Sequence, residues 1–192
     1  MMTSHIRYRT NSLYPHPAIR QPEINLSKYL GRWYEIGSTR IIRNTFEKDL
    51  DNVTAEYTML PNGTIQVVNS GVNNKTSQGS TVTGNAKILS SSELKVTFGG
   101  YLASFFQNLI PGPNYKILNV WINEAGEYVR ALVVSPQYWF IPDFLQKYIQ
   151  YIWILARRPV ISDREIKETL NYAEACGFNP RASKWKKTLQ QE

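Results

Sequence analysis

Residues able to do covalent or metal chemistry are scarce in this 192-residue chain. There are two histidines, His5 and His16, both near the N-terminus, and one cysteine, Cys176. A serine or cysteine nucleophile needs an imidazole beside it, and zinc and haem sites need imidazole or thiolate ligands. Beyond His16 the chain supplies no imidazole. A single thiol excludes an internal disulfide and a metal site built from cysteines. Paired carboxylates are the remaining route to acid–base work, with Glu35 and Glu56 as candidates. Strand parity separates them. Glu56 alternates with Ala55 and Tyr57 and faces solvent if that apolar pair faces in. Glu35 shares the parity of Trp33 and reads as an inward, structural carboxylate near the base of the fold. No glycine-rich phosphate loop follows a strand and opens a helix. The reading is of a protein that is not an enzyme and carries neither cofactor nor metal.

What the chain does supply is aromatic and strand-patterned, with twelve tyrosines and five tryptophans. Gly31-Arg32-Trp33-Tyr34-Glu35 opens a long run of it. In an extended segment Trp33 and Tyr34 point to opposite faces, and Gly31 lets the backbone turn with another segment close against it. One ring is therefore placed to close the floor of whatever the sheet encloses. Residues 53–59 alternate apolar and polar, Pro61-Asn62-Gly63 supplies a turn, and 65–69 resume the alternation as a hairpin. Further strands are predicted over 80–89, 94–98, 115–122, 128–134 and 151–157. Eight short strands with mostly tight connections imply an antiparallel sandwich or a closed barrel.

One helix follows. Ser162-Asp163-Arg164-Glu165 has the form of a capping box, Ile166, Leu170, Ala173 and Cys176 share one side, and Gly177 is placed to end it. Such a helix must lay its apolar stripe on the outside of the sheet, with Cys176 as a small buried hydrophobe. The predicted organisation is a flexible polar arm over 1–22, one folded unit over 23–180 and a basic tail over 181–192.

The net charge of +7 lies mostly at the two ends. Arg7, Arg9 and Arg20 precede Glu23 without an acid; Arg181, Lys184, Lys186 and Lys187 follow Phe178 against Glu192 alone. That placement favours attraction to a phosphate-bearing surface over a charged cleft. Nucleic acid is not the expected partner, because no strand face interleaves aromatic and basic residues. The first twenty residues hold no signal-like apolar run and no cysteine that would accept a lipid. The expectation is a protein kept in a reducing compartment, cytoplasmic or peripheral to a membrane.

Alternation also lists an inner face: Ala55 and Tyr57; Ile65, Val67 and Asn69; Gly84 and Ala86; Leu94, Val96 and Phe98; Tyr115, Ile117 and Asn119; Ala131 and Val133. A small barrel is filled by its own side chains or leaves room for one ligand. The small members of this set, Ala55, Gly84, Ala86 and Ala131, argue for room. The apolar lining with a few hydroxyls and amides suits an acyl chain with a polar head.

Gly31-Arg32-Trp33-Tyr34-Glu35-Ile36, with Phe46-Glu47, Val53-Thr54-Ala55-Glu56-Tyr57 and Val67-Val68-Asn69, resembles the lipocalins. So does Tyr151-Ile152-Trp153-Ile154-Leu155-Ala156-Arg157-Arg158-Pro159 before the helix, and the branch it is most similar to contains bacterial lipocalin and apolipoprotein D. The resemblance implies an all-β fold: an eight-stranded antiparallel up-and-down β-barrel, open at one end, with one C-terminal α-helix packed outside. It also implies a small apolar ligand inside and Arg157 packed over Trp33 beside Gly31 at the floor. One motif departs from the branch: Val120-Trp121-Ile122 replaces its usual Thr-Asp-Tyr, which puts the polar contacts of the floor in question.

Two connections are longer and more apolar than hairpins need. Residues 99–113 carry Tyr101, Leu102, Phe105, Phe106 and Leu109; residues 138–150 carry Trp139, Phe140 and Phe144. In an up-and-down barrel both lie at the open mouth. Exposed apolar loops mark interaction sites, and Trp and Tyr suit the headgroup level of a bilayer. Peripheral membrane contact, a lid over the mouth and a homodimer through these loops stand as alternatives. The functional expectation is a carrier of a fatty acid, lysophospholipid or similar small hydrophobic ligand, exchanged at a membrane. Its rival is an interaction protein whose mouth loops form an oligomer.

Overall fold

The computed structural model describes residues 23–98, 115–135 and 150–191. The arm read over 1–22 and the loop residues Tyr101, Leu102, Phe105, Phe106, Leu109, Trp139, Phe140 and Phe144 lie outside the described residues. A one-turn helix α1 (Leu26–Tyr29) leads into β1 (Gly31–Ser38), and α2 (Arg40–Asn44) follows in the first connection. Strands β2 (Leu50–Met59), β3 (Ile65–Asn73), β4 (Gly79–Ile88) and β5 (Glu93–Phe98) come next. After them run β6 (Tyr115–Ile122), β7 (Tyr128–Ser135) and β8 (Tyr151–Ala156), then helix α3 (Asp163–Ala175) and a short β9 (Lys186–Lys187). Each of β1 to β8 is hydrogen-bonded antiparallel to its sequence neighbour, and β1 pairs with both β8 and β2. The sheet therefore closes as an up-and-down barrel, which removes every edge among those eight strands.

The barrel separates two apolar layers. Inside lie Trp33, Tyr57, Val67, Ala86, Leu94, Ile117, Ala131, Val133 and Leu155 with their neighbours. Outside, Ile36, Leu118, Leu132, Val134, Ile152 and Ile154 meet Ile166 and Ala173 of α3 and Cys176 just after it. The capping box at Ser162 and Glu165 forms as its sequence predicts. Gly177 follows the helix at φ +90°, a conformation open to glycine. Cys176 is fully buried, and burial pushes its thiol up, away from the reactive thiolate.

Trp121 explains how the departed motif is used. It lies on the outer face, where Arg130 stacks 4.2 Å from its ring and the Trp121 Nε1 donates to Glu168 at 3.0 Å. Arg130 itself donates to the Glu165 carbonyl at 2.7 Å and to Glu168 at 2.8 Å. The side chains that take over this stretch fasten the helix to the barrel wall.

The C-terminus differs from the tail predicted for it. Strands β1 and β2 pair only from Gly31–Tyr57 to Tyr34–Thr54, then separate towards the mouth. Residues 186–191 fill that seam. Lys186 and Lys187 pair with Ser38 and Gly37 of β1, Asn52 of β2 donates its N–H to the Leu189 carbonyl, and the Gln190 amide donates to Glu35 O and Val53 O. Trp185 lies so close to Gly37 that a Cβ there would stand 2.3 Å from its ring. The basic segment is built into the barrel wall.

Candidate ligand-binding site

At the closed end Gly31, Trp33 and Arg157 lie together. Gly31 has φ +88°, and its missing Cβ leaves 3.5 Å to Arg157 Nη1. The Arg157 guanidinium lies 3.8 Å over the fully buried Trp33 ring, a cation–π contact worth ~0.5–2 kcal/mol. The same group donates to main-chain carbonyls of Arg32 (2.7 Å), Lys28 (2.9 Å) and Leu30 (2.7 Å). The Trp33 indole donates to the Tyr29 carbonyl at 2.7 Å. The polar contacts of the floor are thus made by arginine on backbone, without the Thr-Asp-Tyr that the branch usually has. Partial burial pulls the Arg157 group below its ordinary value.

Above the floor the predicted inner residues mostly meet. Ala55, Tyr57, Val67, Ala86, Phe98, Tyr115, Ile117, Ala131 and Val133 all belong to the interior cluster or pack against it. Asn69, paired with Ala55, shares the inward parity and is half-buried. Asn119 is corrected. A bulge in β6 between Ile117 and Asn119 sets Asn119 opposite Leu132, an outer residue, and Val120 opposite the inner Ala131. The extra residue reverses parity for the rest of the strand, so Val120 packs inside and Asn119 faces out. Parity counting through a uniform strand cannot detect this; two consecutive apolar residues, Ile117 and Leu118, were the available sign.

The argument for room from small residues also changes. Ala86 and Ala131 are fully buried, and a Cβ on Gly84 would stand 2.6 Å from the Phe98 ring. These small residues accommodate neighbouring side chains. The inward residues that keep some accessible surface are Ala55, Phe98, Tyr115, Val120 and Trp153. Tyr29, Tyr57 and Tyr115 bring their hydroxyls together just above Trp33, with Tyr115 Oη 2.6 Å from that of Tyr29 and 2.8 Å from that of Tyr57. Burial pushes all three phenols up, Tyr57 to about 12.

Glu35 is inward, paired with Leu155, but sits above the floor within a polar cluster. Ser38 Oγ lies 3.1 Å from Glu35 Oε1 and 3.0 Å from Glu47 Oε2, and Thr188 donates its hydroxyl to Glu35. Arg43 approaches Glu35 (3.9 Å), Glu47 (3.7 Å) and Asp51 (3.4 Å). Burial first, then the neighbouring Glu47 carboxylate, pushes the Glu35 carboxyl well above the carboxylate range. Glu56 is on the outer face, ion-paired with Arg32 at 3.2 Å, so the two carboxylates do not form a pair. Among the described residues no group of His, Cys, Asp and Glu is placed to hold a metal ion.

A barrel sealed by an indole under a guanidinium, with an apolar interior, is the form of a ligand-binding cup. The family model described as a lipocalin-like domain matches residues 24–188, and the chain belongs to the lipocalins, which bind small hydrophobic ligands. Outer membrane lipoprotein Blc of Citrobacter freundii is 35% identical over 163 residues, covering 83% of this chain and 77% of its own length. Apolipoprotein D of Rattus norvegicus is 30% identical over 158 residues, covering 82% and 71%. Japanin of Rhipicephalus appendiculatus, solved bound to cholesterol, shares the fold with a TM-score of 0.54 at 16% identity, covering 91% of this chain and 99% of its own. Lipocalins are generally carriers without enzymatic activity. The expected cytoplasmic location gains no support from these relatives, the first of which is named for the outer membrane. Among the described residues no helix is long and apolar enough to cross a membrane.

Proposed function

We propose that this lipocalin is a lipid carrier that holds an acyl lipid, of the fatty acid or lysophospholipid kind, in its barrel and exchanges it at a membrane surface. The observation that carries the reading is the combination of a sealed floor at Trp33 and Arg157 with inward side chains that retain accessible surface above it. An apolar, largely preformed concavity with a few convergent polar groups is how small hydrophobic ligands are bound. The relatives point the same way: one is named an outer membrane lipoprotein, another an apolipoprotein, and the solved neighbour holds cholesterol. The proposal assigns no catalysis: the described lining is apolar side chains and three phenols, and the Ser38 hydroxyl is engaged by Glu35 and Glu47 within a buried polar cluster.

Native mass spectrometry of the gently purified protein tests it. The expected spectrum contains a protein–lipid adduct that is lost on organic extraction, and the extract contains acyl chains. A protein that copurifies with no lipid and then takes up no fluorescent fatty acid is not a carrier of this kind.

A further inference from the structure

The three phenols at the base of the barrel carry more hydrogen-bond donors than they use. Tyr29, Tyr57 and Tyr115 have one O–H each, and the cluster contains two hydroxyl–hydroxyl contacts, both to Tyr115. Each contact consumes one proton. Whichever way the hydroxyls turn, one of the three protons is left without an acceptor among the described residues. An unshared buried donor is costly, and the member of the cluster that keeps accessible surface is Tyr115, which faces inward from the first residue of β6. The cluster lies at the closed end. Tyr29 packs on Trp33 with ring centroids 4.9 Å apart, and Tyr57 is paired with Gly31 across β1 and β2.

We propose that this cluster is a polar subsite at the bottom of the barrel, which takes an uncharged hydrogen-bond acceptor carried on the leading end of an apolar ligand: the carbonyl of an ester, a ketone or a protonated carboxyl group. The proposal rests on the carrier reading above and specifies which end of the ligand goes down. A neutral acceptor fits better than a carboxylate. An anion buried there needs a cation to offset its desolvation. Arg157, whose charge reaches Tyr29 and Tyr57, already commits its donors to the carbonyls of Arg32, Lys28 and Leu30. Because burial raises the phenols, they stay protonated at neutral pH and act as donors. A pure hydrocarbon end would leave the spare proton unshared; a carbonyl end satisfies it.

Two measurements on delipidated protein test the subsite, with methyl decanoate and undecane as probes of similar length. In the wild type, intermolecular nuclear Overhauser contacts should link the ester methyl to the Tyr57 and Tyr115 rings; contacts from the opposite chain end to those rings would overturn the proposal without any mutation. Separately, each probe displaces bound N-phenyl-1-naphthylamine from the wild type and from a variant with Tyr29→Phe, Tyr57→Phe and Tyr115→Phe combined. The preference for ester over alkane should fall by roughly 3- to 10-fold in the variant, the worth of one neutral hydrogen bond. An unchanged preference, with both probes binding, overturns the subsite while the carrier reading stands. Displacement by neither probe removes both.

Discussion

Ser38 holds a proton-counting problem that fixes the behaviour of its neighbour. Its hydroxyl lies within hydrogen-bond distance of carboxyl oxygens on both Glu35 and Glu47, yet it has one proton to give. The second contact needs a proton on a carboxyl, and Glu35, buried and facing Glu47, is the group pushed upward to hold it. The sign of the linkage follows. An acid whose value is higher folded than unfolded is more readily protonated when folded. Its contribution is complete below its ordinary value of 4.5 and is lost as pH climbs through the raised one. Thermal melts from about pH 5 to about pH 8 should therefore show wild-type stability falling with pH. The Glu35→Gln variant should show a flatter profile, and parallel profiles would mean that Glu35 is ionised throughout. Glu35 was legible in the sequence as an inward carboxylate from its parity with Trp33. Its partners were not, because Glu47, Arg43 and Thr188 reach it from a loop helix and from the far end of the chain.

At the scale of elements, the C-terminal segment is the departure with most consequence. A run rich in lysine and glutamine carries no apolar periodicity and so reads as a solvated tail. It is ordered because the β1–β2 seam leaves backbone donors and acceptors that only another strand-like segment can satisfy. Ending the chain after Trp185 should lower stability by ~2–4 kcal/mol in urea unfolding, from the hydrogen bonds lost at Ile36, Glu35, Asn52 and Val53. It should also flatten the pH profile, since water then reaches the Glu35 carboxyl. A truncated protein that melts with the full chain would show the seam to be stable unaided. The bulge in β6 teaches the same lesson at smaller scale. Period two listed an inner face on six strands, β2 to β7, and it misassigned Asn119 where one inserted residue turns Val120 inward.

For the whole molecule, closure sets polarity: the Trp33–Arg157 contact makes one end a floor, and the first and third connections lie at the other. The proposed docking on a membrane belongs to that open end, with aromatic loops entering the interface and basic residues adding on the order of 1 kcal/mol each near an anionic surface. Flotation with vesicles containing anionic lipid should recover the wild type and lose most of a variant with Trp139→Ser and Phe140→Ser. Equal flotation of both would take these two side chains out of the docking surface.

The sequence alone determined the strands and the outer helix, which depend on short-range signals: alternation, turn residues and a capping box. The arginine over the floor tryptophan was implied by the resemblance to the lipocalins. Only the tertiary structure decided where the polar groups meet. The phenol cluster joins α1, β2 and β6, and the Glu35 cluster joins β1, the first connection and the C-terminus. Closure of the barrel brings those positions together, and hydrophobic spacing carries no record of which hydroxyl will face which.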